Sequence, residues 1–490
     1  MAVAKKMWVS AIAGVLATGF TVGLIGQRLQ AQEIIIDPSV PGLNSTTLHS
    51  SGGGKPQIDI ATPDSGVSHN KFQKYNVGPG GLILNNSATG GTSVIGGSVN
   101  ANSNLATSGS ASVILNEVTG TGTSSLTGIT EIFGGKASVI IANPNGVGCN
   151  GCSFINTNRS TLTTGVPTVT GSQIDLLATK GTVSVGSGGF TSEGDADLIG
   201  RHVTIGGPVN ADTTLTISGG AQNFNYNAGT SQAAPTTNAQ QSPFAVDATS
   251  LGALTAGNIR IHGNEVGLGV NAYGNINAAG NLNLSSKGNI HYGNIQSTGT
   301  GQIDGQGSVR QYGNAQFDGD VTVSGNDFTL YRDRTLSSGG DVTINTDDFA
   351  VVIGEISGTN VNINVDGKFT NNGFVFADQE LVVIAGEEVR NQREVATEYD
   401  SYFDPALRQY IEAYQQQLLD GGPEADLAAE MLARAQVNEV LDEYVLKGAT
   451  FGATNIDVTA NLDLVNKGGA IAATNNITLA SLTGSIINEY

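Results

Sequence analysis

Apolar side chains recur along this chain in short runs that point to strands. Ile34–Ile36, Gln57–Ile60, Leu82–Leu84, Ser112–Leu115 and Ile174–Leu177 are apolar or alternating runs bounded by Gly, Asn, Ser or Pro, the signature of β-strands ended by turns. The interval 223–241 is polar and rich in Ala, Thr, Asn and Gln, and reads as a loop. From residue 259 onward a pair of apolar positions two residues apart returns at Ile259/Ile261, Leu282/Leu284, Val321/Val323, Val342/Ile344, Val361/Ile363, Leu381/Val383, Ile456/Val458 and Ile477/Leu479, with Ile303 inside the wide gap. Most intervals are 19 to 23 residues, a period that signals a solenoid. Gly280-Asn281, Gly319-Asp320, Gly340-Asp341 and Thr359-Asn360 precede the pairs at matching offsets, as corner residues would. A leucine-rich horseshoe would need a fixed Leu/Asn consensus, so the predicted fold is all-β, a right-handed parallel β-helix.

One interval breaks the period. Asp404-Pro405 looks like a helix start, Leu407, Tyr410, Ile411, Tyr414 and Leu418 keep helical spacing, Gly421-Gly422-Pro423 interrupts, and a second helical pattern begins near Glu424. These signals predict an inserted α-helical hairpin over 401–447. Excising about 55 residues there restores a 20-residue step from Leu381 to Ile456, so the solenoid should continue across it.

Composition narrows the function classes. Only 13% of residues are charged, yet 39% are hydrophobic, and the net charge is −20. That is too apolar for disorder, and a chain without Lys/Arg clusters does not suit a nucleic-acid partner. Lys5 and Lys6 precede an apolar stretch from Met7 to Ile25, followed by Leu29-Gln30-Ala31, which predicts a signal peptide over 1–31 cleaved near Ala31.

Against that background, Ile140-Ile141-Ala142-Asn143-Pro144-Asn145-Gly146, Cys149-Asn150-Gly151-Cys152 and Phe154-Ile155-Asn156-Thr157-Asn158-Arg159 together resemble the central motif of the secretion domain of two-partner secretion exoproteins, the filamentous haemagglutinin and haemolysin-like family. Upstream, Gly66 to Phe72, Tyr75-Asn76-Val77 and Gly81-Leu82-Ile83-Leu84-Asn85-Asn86-Ser87 are similar to that domain's opening strands; Val113–Val118 and Thr161–Gly165 extend the match. The resemblance implies a two-partner secretion domain over 32–270, a β-helix with capping and extra-helical strands. Repeats follow over 271–400 and again over 448–490, after the hairpin. It further implies an exported protein, secreted or held at the cell surface, that meets the sheet-augmenting periplasmic modules of an outer-membrane barrel transporter. By that resemblance Asn85, Asn86, Asn143, Pro144, Asn145 and Gly146 form the secretion motif, and the rod acts as a haemagglutinin-like adhesin or as the N-terminal part of a cytolysin or contact-dependent toxin-delivery protein. A host-cell or neighbouring-cell receptor would contact 401–447.

Other chemistry is sparse. Cys149 and Cys152 are the only cysteines. No His close by in sequence completes a zinc set, and the strand-to-helix setting of a thioredoxin-like centre is missing; a local disulfide in an exported chain remains. Asp318/Asp320, Asp347/Asp348 and Tyr331-Arg332-Asp333-Arg334 are the best places to seek a glycan-cleaving carboxylate pair, yet neighbouring acids on a strand point to opposite faces. Ser160 and His202 lie in no nucleophile motif. The expectation is therefore a non-enzyme with no metal and no cofactor. Asn264, Asn271, Asn275, Asn277, Asn281 and Asn283 should serve corners or, alternatively, a polar ladder that binds glycan.

Overall fold

A computed structural model describes residues 33–39, 45–238, 242–392 and 449–489. The signal-peptide segment 1–31 and the helical hairpin 401–447 lie outside the described residues. Within them, strands stack in parallel into a right-handed β-helix of about 15 turns, and the one helical element is a 3-10 turn, Ser103–Leu105.

Each coil contributes to three sheets. In the coil that begins at Ala137, Ala137–Ala142 pairs with Val113–Val118 before it and Thr157–Thr163 after it. Val147–Cys149 lies between Ser124–Leu126 and Thr182–Val185. Cys152–Ile155 lies between Ile129–Gly134 and Phe190–Ser192. Inward side chains from all three sheets merge in one continuous apolar core along the rod.

The repeat read from the sequence is the inner ladder of one sheet. Ile259 faces Leu282, then Gly301, Val321, Val342, Val361, Leu381, Ile456 and Ile477. Ile303 sits between Leu284 and Val323, which closes the wide gap. Gly301 replaces an aliphatic residue because the Phe317 ring fills its space: a Cβ there would stand 2.3 Å from that ring. At about 4.8 Å per coil the coils after Gly257 extend the rod by roughly 40 Å. Leu381 pairs directly with Ile456, so the coil on one side of the 393–448 interval stacks on the coil beyond it.

Two additions flank the first half. Ile34–Ile36 runs antiparallel to Val67–Tyr75, and Thr47–Ser50 antiparallel to Pro56–Asp59, so the first coil is covered by strands of opposite sense. A four-stranded antiparallel sheet, Val166–Thr170, Gln173–Ala178, Gln222–Asn225 and Thr230–Ala233, packs on the outside of the coils. This locates one expected strand and corrects one reading. Ile174–Leu177 is a strand, but of this outer sheet rather than of a coil. The polar interval 223–241 is no simple loop: its strands turn at Gly229, whose φ is +66°, and bury Phe224 and Tyr226 beneath them. A composition that is polar on average hid two buried rings, Phe224 within the first of these strands and Tyr226 just after it.

Candidate functional site: three locked corners

The residues of the sequence motif form one complete coil. Ala137–Ala142 is apolar except for half-buried Ser138, because both its faces are largely buried: Val139 and Ile141 enter the coil core, while Ile140 and Ala142 pack against Ile174, Leu176 and Phe224 of the outer sheet. The chain then turns three corners, each fixed by a different device.

The first corner is Asn143-Pro144-Asn145-Gly146. Asn143 is fully buried. Its side-chain amide donates to the Gly122 carbonyl (2.9 Å) and to Ser124 Oγ (3.0 Å) in the preceding coil, and its Oδ1 accepts from the Asn145 N–H at 3.0 Å. Asn145 Nδ2 donates to the Gly120 carbonyl at 2.8 Å. The Gly146 N–H closes the turn on the Asn143 carbonyl, and the Asn143 N–H reaches the Thr163 carbonyl of the following coil. Gly146 has φ +134°, which disfavours any side chain there. The turn is thus bonded to the coil before it and to the coil after it.

At the second corner Cys149 and Cys152 form a disulfide, with Cα atoms 5.4 Å apart and both side chains inside the core. The third corner is Asn156, in the left-handed region at φ +57°. Its amide donates to the Ile132 carbonyl at 2.6 Å, and its N–H donates to Glu193 Oε2 at 2.6 Å.

Asn85 and Asn86 serve an adjacent loop. Asn86 donates to the carbonyls of Ala111 (2.9 Å) and Gly135 (2.8 Å) and accepts from the Ala111 N–H at 2.7 Å. Asn85 donates to Asp59 Oδ1 (2.7 Å) and to the Asn100 carbonyl (2.9 Å). Together they fasten the chain between them and Ala111 to the coils on either side. Buried amides at such places satisfy backbone groups that water cannot reach.

Three further anchors, two of them inside the motif blocks, had no role assigned from sequence. Glu131, buried, accepts from Ser93 Oγ (2.6 Å) and from the N–H groups of Val94 and Ile95, and so holds the hairpin formed by Gly91–Ser93 and Gly97–Val99. Arg159 donates to Asp197 (2.6 Å) and to the Tyr226 carbonyl (2.7 Å) and lies 4.2 Å above the Tyr226 ring, which ties the outer sheet to the coils. Glu117 meets His69 at 2.7 Å and Lys71 at 3.3 Å. Burial pushes its carboxyl up, but those two partners more than offset this and hold it below its ordinary value. The available signal was a charged residue standing alone in an uncharged stretch.

The enzyme candidates do not converge. Asp347 and Asp348 are exposed on one strand. Asp320 Oδ1 accepts the Asp341 N–H at 2.9 Å as a corner residue does, and Asp333 sits in a turn at φ +57°. The Ser160 hydroxyl meets Ser192 Oγ, whereas the His202 ring faces the Phe244 carbonyl. Of the recurring asparagines, Asn281 serves backbone, its Oδ1 accepting from the Thr300 N–H at 3.0 Å, whereas Asn264 donates to Ser218 Oγ (2.8 Å), Asn271 to Asp247 Oδ1 (2.6 Å) and Asn283 to Gln302 Oε1 (3.1 Å), and Asn275 Oδ1 accepts from Asn294 Nδ2 (3.1 Å).

Residues 32–292, more than half of the chain, match the TPS secretion domain. The chain belongs to this family. Its coils superpose on the crystal structure of the filamentous hemagglutinin secretion domain with a TM-score of 0.53 and 32% identity, over 64% of this chain and 99% of that one. The chain is 39% identical over 253 residues to filamentous hemagglutinin of Bordetella pertussis, 49% of this chain and 7% of that protein. It is also 34% identical over 408 residues to the 16S rRNA endonuclease CdiA of Enterobacter cloacae, 76% of this chain and 12% of that protein. The chain therefore spans a small fraction of the length of these relatives. It carries the secretion domain of a two-partner exoprotein, a secreted or cell-surface protein whose family implies an outer-membrane transporter as partner.

Proposed function

We propose that this chain is exported after removal of residues 1–31 and presented to its transporter by the first half of the rod, and that the emerged rod then works as an adhesin. The Asn143–Gly146 corner carries the transport reading, because its two amides must find carbonyls in the coil already formed before the next coil can stack. Each added coil buries apolar side chains and disfavours return of the chain. Stepwise folding outside would thus bias transport outward. The outer sheet ends in two free edges, Val166–Thr170 and Thr230–Ala233, and such edges support recognition by strand addition to the transporter's periplasmic modules. The exposed, dispersed carboxylates support a binding rather than a catalytic rod, and we assign no reaction to it. Similarity to a CdiA protein over 76% of this chain supports a second reading, the N-terminal portion of a toxin-delivery protein, which the size of the secreted product would separate from the first.

The test is the double variant Asn143→Ala/Asn145→Ala, expressed with the partner transporter. Leaving buried carbonyls unpaired costs at least about 1.4 kcal/mol, so secreted protein should fall on the order of tenfold while the cell-associated precursor persists. Undiminished secretion would sink the transport role.

A further inference from the structure

The outward faces of the later coils are mostly polar, and their partly exposed apolar residues include an aromatic pair on a single strand. Phe374 and Phe376, two residues apart on the strand Phe374–Ala385, both point away from the core, and Phe376 is 38% exposed. Their ring centroids lie 5.9 Å apart with planes inclined by only 15°. Gly452 faces Phe376 on the next coil, and a Cβ on it would stand 2.6 Å from the Phe376 ring, so that ring reclines across the glycine instead of standing out from the sheet. The coil beyond places Ala472 opposite Gly452, which leaves the ground flat. Glu355 and Ser357 occupy the matching positions on the preceding coil, with Ser337 on the one before.

We propose that this pair of near-parallel rings is a stacking platform for a neutral glycan, with consecutive hexose rings of an extended β-linked chain lying on Phe374 and Phe376 and their hydroxyls reaching Ser357, Ser337 and Glu355. The surface itself selects this occupant. Two phenylalanine rings on a flat sheet offer far less than the roughly 800 Å² per partner of a stable protein interface, and they form no groove for an amphipathic helix. The apolar face of a pyranose is flat, matches one ring in size, and carries hydroxyls at its rim. Glu355 and the net charge of −20 disfavour sulfated or uronic-acid polymers. The proposal rests on the adhesin reading and names its ligand class.

Cellohexaose and a heparin hexasaccharide titrated into the purified protein, followed by saturation-transfer NMR and calorimetry, test it without cells. Binding of cellohexaose that weakens at least about tenfold in Phe374→Ala/Phe376→Ala, and about threefold in Ser357→Ala, is the expected result. Both residues face outward, so an unchanged melting temperature should show that the variants fold. No binding of cellohexaose, equal binding by the double variant, preferential binding of heparin, or a change of oligomeric state in the double variant would each overturn it. Unaltered protein that binds cellohexaose yet does not adhere to cells would count against the adhesin reading alone.

Discussion

The two halves of the rod solve the same packing problem in opposite ways. In the coils around residues 113–163 both faces of the first sheet are buried, and the three corners of the motif coil carry an asparagine-bonded turn, a disulfide and a left-handed asparagine. In the coils after residue 257 the inner ladder is equally apolar, yet the outward positions beside it are Asn283, Gln302, Thr322, Thr343 and Asn362. One of their corners repeats a single device, a side-chain oxygen taking the N–H of the coil above. Repetition suffices to lengthen a rod. Recognition of one place needs a surface that no other coil duplicates, and the first half has one.

This contrast predicts unequal costs for formally similar substitutions. Asn143→Ala strands buried backbone groups and should cost about 2 to 3 kcal/mol, whereas Asn360→Ala, which removes a half-buried bond to Asp341 (2.9 Å), should cost about 0.5 kcal/mol or less. Chemical denaturation of the two variants measures the difference, and equal costs would erase the distinction between the halves. Next in size is the disulfide. Cys149→Ser/Cys152→Ser opens a loop with a sequence separation of only 3, and chain entropy alone puts the loss at about 2 kcal/mol. A thermal melt with and without reductant should show the first half weakening and the later coils unmoved.

The smallest effect is in pH. Glu117 is held below its ordinary value in the folded chain, so its contribution is complete above the unfolded value near 4.5 and is lost as pH falls through the lower folded value. Stability of the first half should therefore fall as the pH drops below about 4.5. Glu117→Gln should flatten that part of the profile in a pH series of denaturant midpoints, and an unchanged profile would remove Glu117 from the account.

How much of this was legible beforehand follows from period. The inner ladder could be read because Val, Leu and Ile return every coil, and the motif could be read because its residue types are unusual together. Extra-helical strands were implied by the resemblance, but the residues that form the outer sheet were not placed, because Phe224 and Tyr226 bury singly within polar surroundings, a pattern too short to show alternation. The partners of Asn143 and Asn156 are carbonyls a coil away, at Gly122 and Ile132, and a carbonyl leaves no mark on sequence. Glu131 and Asp197 owe their roles to neighbours brought near only by folding.

Asn371, Asn391, Asn466 and Asn488 form a file of amides, each donating to the next at 2.8 to 2.9 Å. The file runs unbroken from Asn391 to Asn466 although 74 residues separate them in the chain. A corner of this rod therefore behaves as a socket. Any polypeptide whose two ends can meet there can hang from the shaft without disturbing its grain, and what such a protein displays can diverge while the machinery that builds it stays the same.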